Sequence, residues 1–142
     1  LAHLGGALTS AAFLALTIPV LAATGRVLGL ATPVVASVCV LFAANPVMLW
    51  SGATGMSETT FGFFAAVALY GVCRFAVERS SHALVVVGLG LAGCMGCKFE
   101  TLVIAPVLAV TLGIVAGHDR WRSAAAMVAV PPVVVFVLWT VA

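Results

Sequence analysis

The charged residues of this chain are few, and they stand only at the breaks between long apolar runs. Six Lys or Arg and four Asp or Glu make up 7% of 142 residues, against the quarter or so usual in soluble domains. With a mean hydropathy of +1.30, the chain reads as a polytopic membrane protein rather than a soluble core. At about 20 apolar residues per crossing, its length allows roughly six spans and little outside the bilayer. The expected fold is all-α, a transmembrane bundle of about six membrane helices forming a single domain over residues 1–142. A net charge of +2 with no basic stripe argues against a nucleic-acid partner. The chain is apolar already at Leu1 and still apolar at Ala142, and so reads as a fragment of a longer membrane protein.

Polar breaks mark off six segments: Leu1–Ala23, Val27–Leu49, Thr59–Val77, Ala83–Cys97, Thr101–Gly117 and Ser123–Ala142. None alternates with the period of two that a barrel strand requires. The fourth is short, about 15 residues, and needs bilayer thinning or protein neighbours to span. Among the cations, Arg26 follows the first segment, Arg74 and Arg79 stand at the end of the third, and Arg120 and Arg122 follow the fifth; the other breaks hold only Lys98. The positive-inside bias therefore assigns the arginines to the cytoplasm, and Glu58, Lys98 and Glu100 to the outer face.

Local signals agree with that map. Ser57 is placed to cap the third helix, with Glu58 in its first turn, where the helix dipole favours an anion. Asn45-Pro46 is expected to loosen the outer end of the second helix, which then leads through Trp50 into a turn at Gly52 and Gly55. Trp50 and Trp121 suit opposite interfaces. Gly88, Ala92 and Gly96, four residues apart, with Gly90 and Gly93 beside them, give the fourth helix a small face on which other backbones can close, so it is expected inside the bundle. Pro131-Pro132 should kink the last span, and Pro19, Pro33 and Pro106 bend others.

Each polar group also has an ordinary explanation. Glu58 can be a solvated first-turn carboxylate, Lys98 a lysine snorkelling to the headgroups, and Lys98 and Glu100 a pair across a tight turn. Glu78 one turn after Arg74, and Asp119 beside Arg120 and Arg122, read as rim charges. Cys94-Met95-Gly96-Cys97 has C-x-x-C spacing but no second ligand pair and no thioredoxin-like context; the four cysteines read as small packing residues. His3, His82 and His118 lie on differing sides and cannot share a metal.

Two stretches together resemble the GT-C superfamily of integral-membrane glycosyltransferases, especially its protein-mannosyltransferase-like and aminoarabinose-transferase-like branches. The first is Ala44-Asn45-Pro46-Val47-Met48-Leu49-Trp50 followed by Gly55-Met56-Ser57-Glu58. The second is Gly88-Leu89-Gly90-Leu91-Ala92-Gly93 running into Cys97-Lys98-Phe99-Glu100. The likeness covers about residues 26 to 117. It implies transfer of a sugar from a polyprenyl-phosphate donor on the extracytoplasmic side of a bacterial plasma membrane. Under it, Glu58 is the catalytic acidic position near donor phosphate and acceptor, Lys98 the contact to the lipid phosphate, and Glu100 a further substrate-binding position. Cys97 and Phe99 stand where relatives carry Thr and Tyr, so two hydroxyls are missing.

Cleaving a sugar–phosphate bond leaves negative charge on the phosphate, which a fixed cation stabilises, and a carboxylate must take the acceptor's proton. In this superfamily that base usually lies in the first outer loop. None of the first 57 positions here is acidic, so the principal base is expected upstream of this chain. The expected partners are membrane lipid, the polyprenyl-phosphate sugar donor and an acceptor the residues leave open. No cofactor is evident, and a divalent cation is left open. The alternative is a transporter or lipid-sugar flippase fragment, although the span centres carry no charge. A third reading is an inert membrane scaffold.

Overall fold

The computed structural model describes residues 2–54, 57–117 and 120–141, and among them the regular structure is entirely helical. Seven helices follow one another: α1 (Ala2–Val27), α2 (Thr32–Ala43), α3 (Pro46–Thr54), α4 (Ser57–Glu78), α5 (Ser81–Cys97), α6 (Thr101–Ala116) and α7 (Trp121–Val141). Gly55, Met56, His118 and Asp119 lie outside the described residues, as does the side chain of His3.

Three helices, α1, α4 and α7, are long and apolar enough to cross a membrane, and α2 with α3 qualifies jointly as a fourth, bent by 51°. Helices α5 and α6, with 17 and 16 residues, are about 25 and 24 Å long and fall short of a hydrocarbon core of about 30 Å. By length and hydropathy there are thus three or four candidate spans among the described residues, fewer than the six segments suggest.

The second segment departs most from expectation. The helix stops at Ala43 and a new one starts at Pro46, because the Asn45 side chain caps it. Asn45 Oδ1 accepts from the Val47 and Met48 amides at 2.9 and 3.3 Å. Pro46 occupies the first helical position, where a missing N–H costs nothing. Trp50 and Gly52 are therefore helical rather than part of a turn. Pro33 starts α2 rather than bending it, following an extended Ala31. Helix α1 runs past Ala23, so that Arg26 sits in its last turn, a favourable place for a cation.

The helices pack side by side in the order α2–α1–α4–α5–α7–α6, with α3 tucked between α1 and α4. Helix α5 is the centre of this row. It lies antiparallel to α4, and the two approach so closely that a methyl group on Gly90 would lie 2.6 Å from the Ala68 nitrogen. On its other side, a methyl group on Gly88 would collide with the Met127 carbonyl of α7. The small residues thus serve two neighbours rather than one stripe, and nothing lies near Gly96.

Small side chains fill the interior: Ala83, Val87, Ala124 and Val128 are 0–1% exposed. Large aliphatics such as Leu8, Leu41, Val103 and Ile114 face outward at 71–74% exposure, as lipid contact allows. Two interior hydroxyls of α1 are satisfied within their own helix: Thr17 and Thr24 donate to the Phe13 and Val20 carbonyls at 2.8 and 2.9 Å. Helix α7 runs unbroken through Pro131 and Pro132.

Candidate functional site

The antiparallel α4–α5 hairpin carries one end of each helix to the same place. Glu58 lies in the first turn of α4, where Ser57 is the first helical residue rather than a cap. Lys98 closes α5 in extended conformation (φ −149°, ψ 133°), its amide donating to the Cys94 carbonyl at 2.9 Å. Lys98 Nζ stands 3.5 Å from Glu58 Oε1, with the lysine side chain 34% and the glutamate 43% exposed. Two groups 40 positions apart in sequence are thus neighbours. The separation exceeds that of a short charge-assisted hydrogen bond, and a half-exposed pair of this kind is worth about 1 kcal/mol or less. The ammonium therefore remains open to a competing anion.

Phe61, one turn along α4 from Glu58, completes the setting: Lys98 Nζ lies 5.6 Å from its ring centroid. The Phe61 carbonyl is 3.8 Å from Cys94 Sγ, so the C-x-x-C segment packs against α4 as free thiols. Beneath the pair, where α6 diverges from α5 to pack on α7, is an apolar cavity of about 220 Å³ lined by Phe61, Leu91, Cys94, Thr101 and Leu108. Thr101 is buried on its wall, and its hydroxyl is the one buried side-chain polar atom without a partner among the described residues.

Glu100 is placed differently. It sits at the same end, exposed, as the N-cap of α6 in helical conformation (φ −56°, ψ −22°), and its side chain makes no capping bond. Among the described residues it forms no ion pair; the lysine reaches across to α4 instead of back along its own turn. The Arg74–Glu78 pair forms one turn apart, at 2.8 Å. It lies at the far end of a helix about 33 Å long. Among the described residues no three His, Cys, Asp or Glu gather to hold a metal, so Glu58 and Glu100 alone do not constitute a cation site.

A second apolar hollow, about 580 Å³, runs along α1 beside α2 and α3, lined by Leu8, Leu14, Ile18, Ala43, Leu49 and Gly52. One of its lining residues, Gly52, packs near the beginning of α4: a methyl group on it would lie 3.2 Å from Leu14 and 4.0 Å from Thr59, the residue after Glu58.

Sequence reasoning did not single out Phe61, Thr101 or Trp139, whose ring meets Phe99 edge-on at 5.3 Å. Only Phe61 had a readable signal, its three-residue spacing from Glu58 on one helix face. Comparison with known family models, with curated proteins and with solved structures finds no match to this chain.

Proposed function

We propose that this chain carries the donor-phosphate site of a membrane glycosyltransferase, which moves a sugar from a polyprenyl-phosphate donor to an acceptor on the extracytoplasmic side. The observation that supports it best is the Lys98–Glu58 pair. It is half-exposed, held weakly at 3.5 Å, and set at the helix ends opposite the arginine-rich rim. The donor's phosphodiester, singly charged like the carboxylate, can take Lys98 at small cost, because the pair it replaces contributes little. As the anomeric carbon–oxygen bond breaks, the charge left on the phosphate falls beside a fixed ammonium. Glu58, released from the lysine, is then a carboxylate able to orient or accept the proton of the incoming hydroxyl. The 580 Å³ hollow along α1, lined in part by Gly52, offers room for a prenyl chain. In this reading Glu100 lies at the entrance, and α5 and α6 act as short crossings sheltered by longer neighbours.

In the intact protein, Lys98→Ala should abolish sugar transfer from the polyprenyl-phosphate donor, while Lys98→Arg retains part of it and both variants insert normally. Normal turnover by Lys98→Ala would remove the assignment.

One observation favours a transporter instead: the α2–α3 break resembles the discontinuous helices that line transport sites. Substrate uptake into sealed vesicles that is lost in Asn45→Ala but kept in Lys98→Ala would select that reading.

A further inference from the structure

The end of the bundle away from Lys98 encloses a cavity of about 330 Å³ between the ends of α4, α5, α6 and α7, and its polar wall is Arg79, Ser81, Arg120 and Ser123. We propose that this cavity binds a phosphate group, carried either by an anionic lipid headgroup or by a free phosphate.

Three features carry the assignment. First, the Arg79 guanidinium is held in a fixed position. Its Nη1 donates to the Val115 carbonyl at 2.6 Å, and its centre lies 5.8 Å from the Phe75 ring. Of the five N–H groups on a guanidinium this bond uses one, and the planar fork matches a phosphate edge. The same bond covers the negative, carbonyl end of α6. Second, Arg79 adopts a left-handed backbone (φ 53°) as it ends α4, its amide donating to Phe75 at 2.9 Å. Glycine takes that conformation freely, whereas a residue with a Cβ such as arginine takes it only under strain. The strain places this side chain over the cavity. Third, Ser81 and Ser123 belong to the first turns of α5 and α7, so the positive ends of two helices open on the same space. Against these positive groups the cavity wall presents no carboxylate among the described residues. Glu78 is engaged by Arg74 at 2.8 Å, and Arg120 has no ion pair among the described residues. Basic pockets between membrane helices on the positive side are known sites for anionic headgroups.

The test uses the full chain in neutral detergent, with dihexanoyl phosphatidic acid, inorganic phosphate and dihexanoylglycerol as probes, and binding read by titration calorimetry. Wild type should bind a phosphate-bearing probe and not the diacylglycerol. The variant Arg79→Gly with Arg120→Gln should bind at least tenfold more weakly, and Arg74→Gln, at an arginine that pairs with Glu78 and does not line the cavity, should bind as wild type does. Binding of phosphatidic acid alone identifies a lipid headgroup; comparable binding of inorganic phosphate identifies the free anion. Arg79→Gly removes the guanidinium while relaxing the backbone, so it remains folded and readable if the double variant does not. Unchanged affinity in Arg79→Gly and Arg120→Gln, equal binding of the diacylglycerol, or no binding of either phosphate probe overturns the assignment.

Discussion

The two ends of the α4–α5 hairpin treat charge in opposite ways. At the Glu58 end a single ammonium meets a carboxylate across two helices, above an apolar cavity. At the Arg79 end two guanidiniums border a polar cavity with no acid on its wall among the described residues. Both ends are built by the same close helix contact, with Gly90 against Ala68 and Gly71 against Val87 setting the spacing. The difference lies in what the loops supply. The α5–α6 turn ends one helix on an extended lysine that reaches sideways, and the α4–α5 turn places an arginine in a left-handed cap that reaches across to α6. A membrane bundle can thus hold one end half-neutralised and the other strongly positive without placing a charge between its layers.

The comparison breaks most completely if the shared frame is lost. Gly90→Leu forces a side chain against the Ala68 backbone and should cost about 3 kcal/mol, read as a lowered unfolding midpoint in detergent, with both cavities lost. Next in size, Lys98→Ala should lower sugar transfer at least 100-fold, the loss expected of one preorganised charge at a developing anion, and leave the unfolding midpoint nearly unmoved. Thr101→Val removes a buried hydroxyl that has no partner among the described residues, so it should stabilise the protein by about 1 kcal/mol in the same unfolding assay. Asn45→Ala removes the cap of α3 and should destabilise by about 1 kcal/mol. Smallest of all, Glu58→Gln should change stability by less than about 1 kcal/mol, because the exposed pair contributes little; a loss of 3 kcal/mol would mark it as a structural clamp.

How much of this was legible follows from how local each determinant is. The all-α class, the charges at segment ends and the central place of the glycine-rich helix could be read because they depend on composition and spacing. The break at Asn45-Pro46 was visible, but the helix that resumes after it was not. An asparagine cap restarts a helix as readily as a Pro-Gly stretch ends one, and neighbours decide between them. The partner of Lys98 is the clearest case. Glu100 is two residues away and a sequence-local pair was plausible, yet Glu100 turns into the first turn of α6 while Lys98 stays extended toward α4. The divergence of α6 from α5, which opens the cavity under Phe61, arises from packing on α7 and leaves no mark in the chain itself. The two short helices were counted as crossings from hydropathy, which reports apolarity and not whether 16 or 17 residues suffice.

The central claim is that Lys98 is there to hold a phosphate on a prenyl chain, and direct binding tests it without any need for turnover. Affinity for a short polyprenyl phosphate and for the matching polyprenol should be measured on the wild-type chain, Lys98→Ala and Lys98→Arg in the same detergent. The prediction is a tenfold or greater loss for the phosphate in Lys98→Ala, recovery in Lys98→Arg, and no change for the alcohol. Equal phosphate affinity in wild type and Lys98→Ala would contradict it.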